Sequence, residues 1–476
     1  MHRAQPAVPL PWLHSPQVGM TVVHATHWAI QLGPLFDIPT DIIFTILRRL
    51  PLIDVLSFGL TSRLCYNNVL PLLRRSIRVN RSSLSDFFFV ASKEHFRADF
   101  IQDLRLFGTE RNFLGAGWDV TSALKYLSPF MPNLHTLRIC GCACVVGWDG
   151  LDGIAFLLGD RLRDLQVAME PPFDDESSRL TTQIWAVLER MSILFAKADP
   201  PYVLMKSILR ALEIRCPNLL SLEVGFPNHS IPERVRGRLR RHGVATPRPN
   251  SQVPSTFFSG GIPTFVHLRA FHLAIPTNVS LRLRPEESFG LLEFLTKHAN
   301  KLRELTLPPF SGGFPALVNG ETLSFDLRSL DTGLTVAMFL NSPRGGGSHS
   351  TVTKLTLDLR HGQGNNHPIR AAPELQLATL SWPYCKVQQL TLISPGSETD
   401  YALLPLFFPD LRDLDIKFDD HSMFWSWGLQ KYALAKNSAT LRTVTASVES
   451  VKESYIITRE DGDATLVLEE VVTIPR

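Results

Sequence analysis

The sequence predicts an α/β protein in two parts: a short all-α helical module, then an irregular repeat solenoid with a continuous parallel strand face. Three observations carry that prediction. Residues 38–70 form an apolar stretch with helical spacing and proline breaks. Beyond residue 80 the pattern apolar-x-x-apolar-x-apolar recurs in one orientation. The chain of 476 residues is 44% apolar and only 20% charged, which suffices for large cores. That length suits two or three domains or one elongated array.

The helical part comes first. Thr40 and Asp41 read as a helix start, a capping side chain followed by an acid in the first turn. Ile42, Ile43, Ile46, Leu47 and Leu50 then form a broad stripe that Pro51 ends. A second start at Asp54 leads into Val55, Leu56, Phe58 and Leu60. A third short segment, 62–68, carries Leu64 and Tyr66, with Val69 after it. Of the 33 residues at 38–70, 18 are apolar or aromatic and five are charged, more oily surface than such short helices can hide against one another. A unit of this size rarely stabilises itself alone. It is either a helical cap packed on the rest of the chain or a docking surface for another protein.

The order Ile38-Pro39, Asp41-Ile42, Ile46-Leu47, Leu50-Pro51, Asp54-Val55-Leu56, Leu60, Ser62-Arg63 resembles the F-box. The resemblance implies docking to the Skp-type adaptor of a Skp–cullin–F-box (SCF) ubiquitin ligase. The adaptor-binding positions it implies are Ile38, Pro39, Ile42, Ile46, Leu47, Leu50, Pro51, Val55, Leu56, Leu60 and Arg63. Two departures stand out: Asp41 replaces the commoner Glu, and the aromatic expected after Ser62-Arg63 is offset to Cys65 or Tyr66.

The repeat pattern reads Ile101-x-x-Leu104-x-Leu106, then begins again at Leu134, Leu162, Leu219, Leu268, Leu302, Val352, Val387 and Leu411. A frayed copy begins at Leu441, and a partial one, Leu327-x-x-Leu330, lies midway between those at 302 and 352. Alternation at the end of each copy indicates a short strand, and the recurrence indicates stacked units. Several copies are introduced by proline, as in Pro132-Asn133-Leu134 and Pro217-Asn218-Leu219. With cysteines in "LHTLRICGC" and "CPNLLSLEV", the pattern resembles irregular leucine-rich repeats. The wide gaps between the copies at 162, 219 and 268 are expected to hold helical segments, around 180–214, and a loop.

The predicted organisation is therefore a flexible lead over 1–33, the helical module over 34–75 and the array over 76–476. A Pro-, Ser- and Gly-rich insertion near 226–263 carries an arginine cluster at 234–241. The stretches 344–350 and 361–367 read as loops between repeats. Around 455–472, two strand-like runs flank Asp461-Gly462 and predict a hairpin cap.

Composition narrows the partners. The charge is nearly balanced, 48 basic against 45 acidic residues, which gives no global pull toward nucleic acid or a membrane. Six scattered cysteines suit a reducing compartment. No signal-peptide run precedes residue 18, and His24, His27, Gln31 and Pro34 interrupt the uncharged stretch after it. The expected location is cytoplasmic and/or nuclear. No phosphate loop, nucleophile elbow or zinc-helix motif is present, so the expectation is a non-catalytic protein without cofactor. Cys140, Cys142 and Cys144, with His135 nearby, could bind metal, but no second pair supports it and small buried residues are the plainer reading.

Together the two resemblances imply a substrate-recognition subunit that carries targets to ubiquitination, with a scaffold outside any ligase as the alternative. The face implied for the target is the outward residue between the last two apolar positions of each copy: Arg105, Arg138, Gln166, Glu223, His272, Thr306, Thr356, Thr391 and Asp415. Its arginines at one end and Asp415 at the other predict a basic and an acidic end.

Overall fold

A computed structural model describes residues 39–80, 84–93, 98–107, 120–140, 148–169, 184–195, 202–225, 252–254, 263–274, 280–282, 285–308, 310–311, 326–333, 337, 351–359, 384, 386–393, 401–418, 421–448, 451–460 and 463–473. The chain forms two compact units, Met1–Arg75 and Ser76–Arg476. The predicted lead 1–33, the loops at 344–350 and 361–367, Asp461-Gly462 and nearly all of the insertion, including its arginine cluster, lie outside the described residues.

Among the described residues of the first unit, prolines open two of three helices: α1 (Thr40–Leu47), α2 (Leu52–Thr61) and α3 (Arg63–Leu73). Thr40 is thus the first helical residue and not the cap. Pro39 holds the cap position without a side-chain bond, and its carbonyl accepts the Ile42 and Ile43 N–H groups at 3.0 and 3.2 Å. Pro51 does the same for Asp54 and Val55, so α2 starts two residues before the predicted Asp54. At α3 a side chain caps: Ser62 Oγ accepts the Cys65 N–H at 3.1 Å. The core of the unit is small, with Ile43, Leu47, Val55 and Val69 buried and Phe58, Leu72 and Leu73 packed against them. Gly59 permits the close approach of α2 and α3, since a Cβ there would lie 2.6 Å from Val69 Cγ2.

In the second unit the strands run β1 (Ser76–Asn80), β2 (Asp103–Phe107), β3 (Thr136–Cys140), β4 (Asp164–Met169), β5 (Arg190–Phe195) and β6 (Ser221–Gly225). They continue as β7 (Gln252–Pro254), β8 (Ala270–Ala274), β9 (Ser280–Arg282), β10 (Glu304–Thr306), β11 (Phe310–Ser311) and β12 (Ser329–Gly333). The last are β13 (Lys354–Asp358), β14 (Gln389–Ile393), β15 (Asp413–Phe418), β16 (Thr443–Val448), β17 (Val451–Glu460) and β18 (Asp463–Thr473). Fifteen of these form one open sheet in chain order, and β7, β9 and β11 form a separate small parallel sheet. Every pairing from β1 to β16 in the large sheet is parallel. Helices fall between successive strands, among them α4 (Leu84–Ala91), α5 (Val120–Leu127), α6 (Trp148–Leu158), α7 (Tyr202–Arg215), α8 (Pro285–His298), α9 (Leu404–Phe407) and α10 (His421–Asn437).

The pattern positions explain the sheet. The three apolar residues of each copy, such as Leu134, Leu137 and Ile139, are buried in one continuous core. Corresponding residues pair across strands, Leu104 with Leu137 and Leu137 with Leu165. The asparagine of the Pro-Asn-Leu introductions bonds to the preceding copy: Asn133 Nδ2 donates to the Asp99 carbonyl at 2.8 Å, and Asn218 Nδ2 to that of Ala186 at 2.7 Å. His298, fully buried on α8, accepts the Phe265 N–H on Nε2 at 3.0 Å and has Nδ1 2.8 Å from the Phe294 carbonyl.

Two features differ from the sequence reading. The region 180–214 is not wholly helical: α7 begins only at Tyr202, and β5 occupies a full copy, Leu188-x-x-Met191-x-Ile193, whose three apolar residues are all buried. The i, i+3 spacing of Leu188 and Met191 suits a helix as well as this pattern, and pairing with β4 and β6 decides for the strand. The partial copy at 327 is a complete strand in which buried Thr332 takes the third apolar place. At the far end β17 and β18 pair antiparallel onto β16, with a bulge at Ser454/Tyr455.

Candidate adaptor-docking and target-binding surfaces

In the helical unit, adjacent apolar pairs divide between inside and outside. Ile43 and Leu47 point inward at i, i+4 spacing, while Ile42 and Ile46 lie one residue earlier on an exposed strip. Leu50 and Leu56 are also exposed, and Leu60 is 86% exposed. Of the implied adaptor-binding positions, Leu47 and Val55 thus belong to the unit's own core. Pro39, Pro51 and Arg63 are exposed, and Ile38 lies outside the described residues. The structure adds Ile53, Leu64 and Tyr66 to the exposed apolar group. Their signal in sequence is only that they share helices with the others.

In the sheet unit, the nine outward residues fall on one register line and are all half-buried. Arg105 pairs with Arg138 and Arg138 with Gln166, and Glu223 pairs with His272 and His272 with Thr306. Thr356, Thr391 and Asp415 continue the line. Four members were missed. Arg78 precedes the first recognisable copy, Ser192 and Asp331 sit in the disguised copies, and Thr445 sits in the frayed one.

Salt bridges temper the basic end. Arg105 Nη2 lies 2.8 Å from Asp103, while Asp164 lies 3.7 Å from Arg138 and 3.3 Å from Arg190. In the middle, His272 Nδ1 lies 2.9 Å from Thr306 Oγ1. Burial, and then the neighbouring Asp358 carboxylate, push Asp331 up to about 6. Burial also raises Asp415, against Lys417 and Lys452. The line is therefore a polar strip of mixed charge.

Among the described residues no group of His, Cys, Asp and Glu is arranged to hold a metal ion, and Cys142 and Cys144 lie outside them. No described helix is long and apolar enough to cross a membrane. Trp427 on α10 is buried in the core.

Residues 35–70 match the family model of the F-box domain. The chain thus carries an F-box domain, which implies a Skp-binding adaptor role in SCF-type ligases. Among solved structures, a chain in a crystal structure of the Rad7 and Elc1 complex in yeast is similar with 15% identity and a TM-score of 0.35, covering 88% of each chain. No curated protein matches the chain.

Proposed function

We propose that the chain is the substrate-recognition subunit of an SCF ubiquitin ligase. Its helical unit docks a Skp-type adaptor, and through it a cullin–RING ligase. Its sheet unit, a leucine-rich-repeat-like solenoid, receives a target protein along the outward strip. The observation that carries this reading is the helical unit's imbalance. Among the described residues of the unit five apolar side chains are buried, Ile43, Leu47, Val55, Cys65 and Val69, while Ile42, Ile46, Leu50, Ile53, Leu56, Leu60, Leu64 and Tyr66 remain exposed. Burying five or six such side chains at about 1.5–3 kcal/mol each offsets an association cost of roughly 4–15 kcal/mol. The chain itself catalyses nothing in this scheme; it raises the effective concentration of target lysines near the charged enzyme. In this reading it works in the cytoplasm or nucleus.

Co-expression with a Skp-type adaptor and a cullin, followed by affinity purification of the tagged chain, tests the proposal. Recovery of both supports it, and recovery of neither refutes it. Adaptor without cullin favours a scaffold outside the ligase. For the strip, Arg105→Glu combined with Arg138→Glu should weaken target capture and leave adaptor recovery unchanged.

A further inference from the structure

One residue ahead of each strand lies a second register line that the target strip does not include. From β3 to β16 it reads His135, Arg163, Glu189, Leu220, Arg269, Arg303, Arg328, Thr353, Gln388, Arg412 and Arg442. Backbone bonds define it, since each residue donates its N–H to the carbonyl of the one before: Arg303 to Arg269 at 2.7 Å, Arg328 to Arg303 at 2.8 Å and Arg442 to Arg412 at 2.7 Å. Three arginines therefore stand on consecutive strands of the sheet, about 4.8 Å apart from strand to strand, and two more follow after a neutral gap. Arg303 is held by Asp326. Arg269, Arg328, Arg412 and Arg442 are exposed and have no side-chain hydrogen bond or ion pair among the described residues. The last two, with Thr353, Gln388, Gln389 and Asp413, line a polar hollow of about 370 Å³.

We infer that this strand-start rim docks an acidic segment of a partner protein. Like charges on neighbouring strands repel one another, and carboxylates laid across them relieve that repulsion. The geometry favours dispersed carboxylates over a phosphate. The N–H groups beside Arg412 and Arg442 are spent, with Asp413 donating to Gln388 at 2.9 Å and Thr443 to Arg412 at 3.1 Å, so no cluster of free backbone donors faces the hollow. The Asp413 carboxylate, which accepts from Thr443 Oγ1 at 2.6 Å, would repel a dianion there. Along the line, Arg328 and Arg412 are three strands apart, about 14 Å, which an extended chain spans in roughly four residues. The segment therefore carries two acidic clusters separated by about that interval.

The inference rests on the receptor reading only in that the sheet unit captures a partner; it does not require the adaptor. The test uses the full chain and a fluorescent peptide with two glutamate clusters separated by about four neutral residues. Anisotropy should show binding that fades toward 1 M salt, where the screening length falls to about 3 Å. Arg412→Gln with Arg442→Gln, and separately Arg269→Gln with Arg328→Gln, should each weaken it about tenfold without altering the melting temperature, because these side chains are exposed. Unchanged binding in both double variants overturns the inference, as does binding only to a phosphoserine version or to a single-stranded oligonucleotide. Adaptor recovery, measured on the same variants, should stay intact. A parent chain that recovers no adaptor yet binds the peptide, with that binding weakened in both double variants, would overturn the receptor reading and leave the rim standing.

Discussion

Leu60→Asp separates docking from folding. Leu60 is 86% exposed near the end of α2, so its side chain contributes almost nothing to the helical unit's own core. In a docked complex it would bury that surface, worth about 2 kcal/mol for a leucine. An aspartate in its place forfeits that gain and must also lose water, which costs on the order of 2–3 kcal/mol more in an apolar interface. The sum, about 4–5 kcal/mol, corresponds to a roughly thousandfold loss of affinity. Calorimetry or interferometry with purified adaptor reads the loss, and thermal unfolding checks that the variant is intact. Val55→Ala supplies the opposite case: Val55 is buried beside Ile43, Leu47 and Val69, so this variant should lower the melting temperature first. A Leu60→Asp variant that binds adaptor within threefold of the parent would remove α2's exposed face from the interface and refute the reasoning.

The remaining predictions concern the sheet unit. Burial holds the His298 imidazole below its usual range, while in the unfolded chain it takes up a proton near 6.5. Stability should therefore fall as pH drops below about 6.5, and His298→Leu should flatten that slope in urea titrations while lowering stability at neutral pH, by leaving the Phe265 N–H unpaired. Asp331 has the opposite sign: its folded value of about 6 lies above the ordinary 3.8, so the native state keeps the extra proton and stability declines as pH rises through that window. Asp331→Asn should remove the decline and add about 1–2 kcal/mol at neutral pH; equal pH profiles for both proteins would argue against it. Asn218→Ala should cost about 1 kcal/mol by deleting the bond to the Ala186 carbonyl, and Asn218→Asp, which has no donor, should not restore it in chemical denaturation.

The repeated strands were legible because three buried positions per copy leave a fixed spacing that no helix sustains for long. Two copies were hidden for different reasons: the i, i+3 spacing of Leu188 and Met191 gave β5 a helical look, and polar Thr332 took the third core place of β12. The helical unit was legible as apolar and not as a surface. Ile42 with Ile43, and Ile46 with Leu47, are neighbours in sequence about 100° apart around the helix, and packing into the cluster with Val55 from α2 and Val69 from α3 decides which of each pair turns inward. The arginine rim escaped notice because a single arginine ahead of a strand looks like any solvated charge. The line exists only once the strands are stacked.

The antiparallel turn of β17 and β18 has a consequence for assembly. A run of parallel strands is formally a growing polymer, since its last strand offers the same unpaired edge as every strand before it and would accept another molecule's first strand as readily as its own next copy. Here β17 runs back against β16 and occupies that edge, and β18, antiparallel to β17 in turn, forms the outer edge with the exposed acids Glu469 and Glu470 on it. Charge on an outermost strand discourages further pairing. The hairpin thus acts as a chain terminator, and a variant that lost it would be expected to lengthen by joining end to end before it unfolded.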